Sequence, residues 1–501
     1  MKPGPAPPGH DRAVALAAAV VVLGARVGES LGPSPGGWAL LLAAAAVAVG
    51  VLLTAGHRRV RKALGFAALG LLSAALMQRA LDGLDGPVSQ LAAQREPVIV
   101  TAELVEDPRR FPHIVRGLAR VRGSLVAVVA REPAAGRLRL LSAGETAVLS
   151  GRLGPLAGTG ARLRWRHATA ALTADDLIDA GAPRSPVMRL ANGLRSLVLS
   201  GVGRLPDVPA ALTAGLLVGD DRDLPAPVAS DFRAAGLSHL LAVSGANVAL
   251  VLAVAGPALR RFGLGGRFAG GLVVVGLFAA MARFEPSVLR ASAMAALALL
   301  AAYAGRPARG CRLLALAVIG LVLVDPFLIH SLGFQLSAAA SAGILVLAGP
   351  LAARLPGPRV VRTGLAVTAA AQLGVAPVAL PAFGSLPLIA LPANLLAAPA
   401  AAGLTLWGFG SGVAGGLIEA LVPAAPGALA VPTGVLASYL AGLASLAARF
   451  PLPVGSRTAA GLGAVSVLVL GAARRRRHRR VGPGPPVPPR GVHRARAHRG
   501  P

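Results

Sequence analysis

A chain of 501 residues could hold about three soluble domains, yet 54% of its residues are hydrophobic and its mean hydropathy is +0.66. Apolar runs of 15–20 residues recur from Ala13 to Ala473, close to the roughly 17–25 residues that cross a bilayer, and this excludes an ordinary soluble enzyme. The net charge of +29 is almost all arginine, because Lys2 and Lys62 are the only lysines, and the single Cys311 excludes an intramolecular disulfide and a Cys/His zinc cluster.

Three apolar segments open the chain, at about 13–27, 38–55 and 63–81. The first has no small-residue cleavage site and is followed by further spans, so it reads as a retained helix. Between the second and third, His57–Lys62 carries four positive charges in six residues, whereas Gly28–Gly37 has no Lys or Arg. Positive short loops stay on the cytoplasmic side. The third helix therefore exits outward, and residues 1–82 form an N-terminal membrane unit whose successor lies outside.

From 95 to 174 the apolar runs shorten to strand length, at Pro97–Leu104, Ile114–Val121, Leu125–Ala130, Arg137–Leu141, Thr146–Leu153 and Ala161–Ala168. Short strands separated by turn residues predict a small soluble β-barrel of OB-like type. Arg95–Thr173 holds 13 arginines against 6 acids, a net charge of +7. A basic barrel suits single-stranded nucleic acid, with cations on the phosphates and aromatic rings under the bases. The candidate contacts are Arg116, Arg120, Arg122, Arg162, Arg164 and Arg166, with Trp165 and Phe111 as the available rings. A structural barrel with solvated arginines has the same composition.

The stretch 188–228 is amphipathic and broken by Pro and Gly, which predicts helices lying along the membrane interface. The main membrane domain follows at 229–473, with spans at about 239–258, 268–283, 287–304, 311–324, 331–349, 363–383, 386–408, 428–448 and 456–473. Arg260/Arg261/Arg267, Arg306/Arg309/Arg312 and Arg354/Arg359/Arg362 fall in alternate loops, which marks those loops as cytoplasmic. The apolar segment 411–425 reads as re-entrant or interfacial, since a full span there would place Arg474–Arg480 outside. The fold class is thus a polytopic α-helical membrane protein of about 12 transmembrane helices with an inserted β-barrel. Residues 474–501 hold ten arginines, three histidines and no acid, a disordered basic cytoplasmic tail suited to anionic lipid.

Polar groups inside spans are costly and therefore informative. The run GLSHLLAVSGANVALV at 236–251 brings together Ser238, His239, Ser244, Gly245 and Asn247. Such a run suits a broken helix lining a water-filled path, or close packing of small residues. Upstream, GLLVGDDRD places Asp220, Asp221 and Asp223 within four residues; helix caps and solvated turns are the expected role, and no metal site is predicted. Glu285 precedes a span that contains Arg290 one turn in, so Glu285 is the expected partner of that buried cation. Asp325-Pro326 is followed by Gln335 and Ser337 at another helix entrance, and Gln372 and Asn394 add polar groups within spans. A Ser244 dyad with His239 or His330 is disfavoured, because five residues separate Ser244 from His239 and turn them to different helix faces.

Four segments, GLLVGDDRDLPAPVASDFRAAGLSHLLAVSGANVALV, PSVLRASAM, DPFLIHSLGFQLSAAASAGIL and AQLGVAPVALPAFGSLPLIALPANLLAAP, resemble in this order the successive signatures of the ComEC-type competence family. The segment 95–174 is similar to that family's OB-like domain, and the whole resemblance covers about 13–450. It implies a channel that carries single-stranded DNA across the bacterial cytoplasmic membrane during natural transformation. The family's motif positions fall on Ser238, His239, Ser244, Gly245, Arg290, Gly333, Phe334, Gln335 and Ser337. The implied partners are single-stranded DNA, membrane lipids, a DNA receptor, a nuclease and a cytoplasmic motor or single-strand-binding protein, with room for a homo-oligomer; no cofactor is implied. Asn247 stands where many members have histidine, so no imidazole role carries over to it. The family's longer members end in a metallo-β-lactamase-like domain, whereas this sequence has no HxHxDH run and no P-loop, so it reads as a channel and not an enzyme. A solute or lipid transporter unrelated to DNA is the alternative.

Overall fold

A computed structural model describes residues 9–32, 37–53, 57–203, 205–241, 243–421, 427–450 and 453–455; the expected span 456–473 and the basic tail 474–501 lie outside the described residues. Helices α1 (Gly9–Ser30), α2 (Gly37–Leu53) and α3 (Arg58–Asp82) form the first membrane unit, followed by the short α4 (Pro87–Gln94). Gly24 and Gly28 lie four apart on α1, and a Cβ on either would collide with the backbone of Gly70 or Ala74 in α3. Small residues at that spacing let two helices close on each other in a medium with no hydrophobic drive between them. The Ser73 hydroxyl also donates to the Val21 carbonyl across the interface, at 2.7 Å.

The soluble domain comprises β1 (Pro97–Leu104), β2 (Arg109–Phe111), β3 (Ile114–Val121), β4 (Ser124–Ala130), α5 (Ala134–Leu138), β5 (Thr146–Gly154) and β6 (Ala168–Gly181). Neighbours run β1-β5-β6-β4-β3 and back to β1, which closes a five-stranded barrel, with β2 paired to the outside of β3. Only β4 and β6 pair in parallel. Alternating inward residues such as Leu104, Leu149, Leu172 and Leu177 fill the interior.

Two expected strands are not strands. Arg137–Leu141 belongs to α5 and the turn after it, because Ala134, Ala135 and Leu138 are buried at helical spacing. Ala161–Ala168 is mostly a 3-10 turn, Gly158–Arg166, and the strand begins at Ala168. There the alternation of arginine with Leu163 and Trp165 imitates a strand. Leu163, however, packs under the barrel beside Leu118, while Trp165 packs on membrane residues around Phe327. Residues two apart on a strand share a face, so only a coiled turn can serve both cores.

Beyond the barrel come α6 (Pro186–Val202), α7 (Asp207–Val218), α8 (Ala226–Ala234), α9 (Gly245–Leu259), α10 (Leu264–Met281), α11 (Pro286–Tyr303), α12 (Gly310–Val324), α13 (Leu332–Ala352) and α14 (Arg359–Phe383). The short β7 (Ser385–Pro387), α15 (Ala390–Leu421), α16 (Val431–Ala448) and β8 (Pro453–Gly455) complete the described chain, with β7 and β8 paired. Among the described residues nine helical segments are long and apolar enough to cross a membrane, and α2, α7 and α12 are shorter apolar helices. The protein is thus mostly helical and polytopic.

The stretch 188–228 contains α6 and α7, which share one core with α15 and α16. The re-entrant reading of 411–425 is corrected for 411–421, since α15 runs unbroken for 32 residues to Leu421, about 48 Å at 1.5 Å per residue; 422–425 lie outside the described residues. Gly412, Gly415 and Gly416 face the backbone of Val198, Gly201 and Leu197 in α6, so the two helices approach closely there.

The ends of the helices agree with the arginine pattern. Asp11 at the start of α1 pairs with Arg309 and Arg312, at 2.8 and 2.9 Å, on the side bearing the arginine loops. The barrel meets the opposite loops, at 282–285 and 325–330. Cys311 is the sole cysteine and is exposed. A membrane-impermeant maleimide should leave Cys311 unlabelled in intact cells and label it in inverted vesicles. Ile99→Cys on the barrel, in a Cys311→Ser background, should behave in the opposite way; labelling of both from one side contradicts this arrangement.

Candidate functional site

Two buried arginines organise the polar interior, and they differ in what surrounds them. Arg195 lies on α6 in line with Ala191, Val198 and Val202, on the helix's buried stripe. Its Nη1 donates to the Val218 carbonyl at the end of α7 (2.6 Å) and to the Met281 carbonyl at the end of α10 (2.9 Å). Its Nη2 stands 3.0 Å from both Asp107 of the barrel and Asp220. Each helix C-terminus leaves carbonyls without intrahelical donors and carries partial negative charge, so one guanidinium caps two helices and neutralises two carboxylates.

The network extends from there. Arg222 grips Asp220 through Nε at 2.9 Å and Nη2 at 2.8 Å, and Arg283 grips Asp107 through Nε at 3.0 Å and Nη2 at 2.9 Å. Asp107 also accepts from the Ala143 amide, and Asn192 joins Arg283 to the Ala143 carbonyl. Burial works against ionisation of Asp107 and Asp220, but the adjoining arginines outweigh it and hold both carboxyls below the usual carboxylate range. At the rim, exposed Arg109 stands 3.8 Å from half-buried Asp221 and 3.7 Å from half-buried Glu285, long separations at which partly solvated pairs have little strength. Asp220 is therefore a buried structural anion and departs from the expected cap or solvated turn, whereas Asp221 remains a half-buried turn residue.

The second buried arginine is Arg290 of α11, only 7% exposed. Glu285 was its expected partner, and the structure corrects this: Glu285 turns to Arg109, and among the described residues no carboxylate pairs with Arg290. Its Nε donates to the Ser337 hydroxyl of α13 at 2.8 Å and its Nη1 reaches the Met294 sulfur at 3.2 Å. Its Nη2 is aimed at the start of α9, 2.8 Å from where a Cβ on Gly245 would stand. The N-cap residue Ser244 does not cap that helix with its side chain, because its hydroxyl donates to Asn247 at 3.1 Å. Asn247 in turn donates to the Leu216 carbonyl of α7, and Ser287 to the Val243 carbonyl, at 2.7 and 3.0 Å. The helix start is thus fixed by side chains that do not cap it, and the guanidinium lies beside its first residue. A guanidinium beside a helix N-terminus is two positive poles together, and that arrangement selects an anion such as a phosphate oxygen.

The other candidate residues lie around this centre. Ser238 and His239 form the exposed part of a 3-10 turn before α9, and Gln335 donates to the Ile329 carbonyl at 2.5 Å, shaping the entrance of α13. On the barrel, Arg116, Arg120 and Arg122 are exposed along β3 and its turn, Arg116 lying opposite Arg109 and over the Phe111 ring. Arg162, Arg164 and Arg166 are exposed on the 3-10 turn, with Arg166 paired to Glu106 at 2.6 Å. Trp165 is stacked 3.7 Å from the His330 ring and edge-on to Phe327, while His167 bonds Asp325 at 2.9 Å. Its present contact is a second docking point between barrel and membrane helices, and a base could stack on that indole only if the contact opened.

Residues 216–477, which run from the last turn of α7 through α16 and include the Arg290 site, match the family described as Competence protein. The chain belongs to the Competence protein family. One curated relative is ComE operon protein 3 of Bacillus subtilis, 30% identical over 144 residues, a stretch that makes up 28% of this chain and 19% of the relative. The alignment thus spans about a fifth of that relative's length. No solved structure matches. The family resemblance carried by the four ordered segments is borne out, and within this Competence protein chain the segments converge: Asp220, Asn247, Arg290 and Ser337 come from three of them.

Arg195, Asp107, Arg283 and Asn192 were not singled out from the sequence, although Arg195 interrupts an apolar stripe at helical spacing, a signal that was available. Removing one partner from a buried charge network leaves the others uncompensated, which costs roughly 3–5 kcal/mol. Arg195→Met should therefore lower the unfolding temperature of the detergent-solubilised protein and make the barrel cleavable from the membrane helices by protease. Because both carboxyls are depressed in the fold, their stabilisation is in place above about pH 4 and is lost as acid protonates them. The melting temperature should be level between about pH 5 and 8 and fall below about pH 4, and Asp220→Asn should flatten that acid limb.

Proposed function

We propose that this chain carries single-stranded DNA through the bacterial cytoplasmic membrane during competence, with the barrel receiving the strand outside. The observation that carries this reading is Arg290: a buried guanidinium with no carboxylate partner among the described residues, bonded to the Ser337 hydroxyl and lying beside the start of α9, which has no side-chain cap. A strand with one phosphate per nucleotide cannot cross hydrocarbon without such groups. A cation already neutralised by protein, as Arg195 is, would have nothing to offer it.

The barrel supports the same reading. Its closed order, with one parallel pair between β4 and β6, corresponds to an OB-like fold, and its outward arginines (Arg116, Arg120, Arg122, Arg162, Arg164) present cations to a phosphate backbone. Binding there should weaken steeply as salt rises. A DNA receptor outside, a nuclease for the second strand and a cytoplasmic motor or single-strand-binding protein complete the proposal. Ser244 gives its hydroxyl proton to Asn247, which favours a positioning role over a nucleophilic one.

Uptake of labelled DNA tests this in a strain deleted for the gene and complemented with wild type, Arg290→Ala or Arg290→Lys. Deletion should abolish strand entry, wild type should restore it, and Arg290→Ala should lower it at least about tenfold, the effect of about 1.4 kcal/mol lost at one phosphate, with Arg290→Lys between. Undiminished entry in the deletion strain would contradict the reading and leave a solute or lipid transporter as the better one.

A further inference from the structure

Away from both charge centres, the ends of α9, α10 and α11 that carry the arginine loops enclose a cleft of about 440 Å³. Its lining is mostly apolar, with Leu259, Leu299 and Gly256, and includes Arg260, Arg267 and Tyr303. The Tyr303 ring is held by stacking on Phe268, with centroids 5.1 Å apart. Arg260 and Arg267 are exposed, and no carboxylate pairs with either among the described residues. Pro257 has no amide hydrogen to give the Ala253 carbonyl, which also borders the cleft.

We propose that this cleft binds one anionic phospholipid of the cytoplasmic leaflet. An apolar slot alone would accept any acyl chain, and two cations alone would accept any phosphate. Together, at membrane-surface depth, they match a molecule with an acyl chain and a net negative headgroup. Basic pockets between membrane helices on the cytoplasmic side hold anionic headgroups in this way, and the Tyr303 hydroxyl adds a donor at the headgroup level, where aromatic belts sit. A nucleic-acid strand could satisfy the guanidiniums but would leave the slot unfilled, so the slot commits the site to lipid. The site stands apart from Arg290, and loss of lipid binding with normal DNA entry would leave the proposed function intact.

Native mass spectrometry of the purified full chain tests it, with phosphatidylglycerol, phosphatidylcholine, inorganic phosphate and a short single-stranded oligonucleotide as probes. Wild type should retain phosphatidylglycerol about tenfold more than phosphatidylcholine, about 1.4 kcal/mol of discrimination, and Arg260→Gln/Arg267→Gln should abolish the preference. Nothing lies within 4 Å of where a Cβ on Gly256 would stand, so Gly256→Phe should fill the slot and reduce retention of both lipids while leaving the melting temperature intact. Equal retention of the two lipids by wild type overturns the proposal. So does displacement of phosphatidylglycerol by inorganic phosphate, or retention of the oligonucleotide through the same two arginines.

Discussion

The Arg195 guanidinium is the buried joint at which the soluble barrel and the ends of two membrane helices meet. Five donors in a fixed planar fork suit a position where several acceptors converge. Here two carbonyl ends and two carboxylates do so, one of them from the barrel. The desolvation of a buried charge is offset only when its geometry and hydrogen bonds are nearly complete, and at Arg195 they are. The consequence is mechanical. The ends of α7 and α10 and the barrel's Asp107 are held at one point, so the barrel cannot shift without disturbing the loop that leads into α11.

That loop leads directly to Arg290, where the opposite arrangement prevails. Its nearest polar neighbours are a hydroxyl, a thioether and the positive end of α9. Two buried arginines in one protein, one neutralised by two carboxylates and one with no carboxylate partner among the described residues, make different sense: the first holds the fold together, and the second is the group on which the proposed function rests. Gly245 belongs to the second, because any side chain there would strike the guanidinium. Asn247 belongs to both, since it anchors the start of α9 to the end of α7, whose last carbonyl Arg195 caps.

Much of this was legible in the sequence, and the failures have physical causes. The long apolar runs, the alternating arginine loops and the short-strand segment come from strong, repeated signals, and they correspond to observed elements. Charge counting misled at 411–421, because keeping Arg474–Arg480 on the cytoplasmic side made a separate re-entrant segment of what is the continuation of α15, packed through its glycines on α6. Arginine alternation misled at 161–168, because period two was produced by charge while Leu163 and Trp165 faced different cores. The ordered segments located Arg290 and Asn247, yet the local choice of Glu285 as partner was wrong, because the barrel's Arg109, far away in sequence, takes that carboxylate. Long-range ion pairing of this kind leaves no trace in local spacing.

The most direct test of the central claim is where an incoming strand touches the protein. A photo-crosslinking amino acid at Ala246, on the exposed side of the first turn of α9, would report on it during uptake of labelled DNA. The account predicts a protein–DNA adduct at that position in wild type and its loss with Arg290→Ala. A strand that enters normally while no adduct forms at Ala246 would place the path elsewhere and contradict the assignment of Arg290.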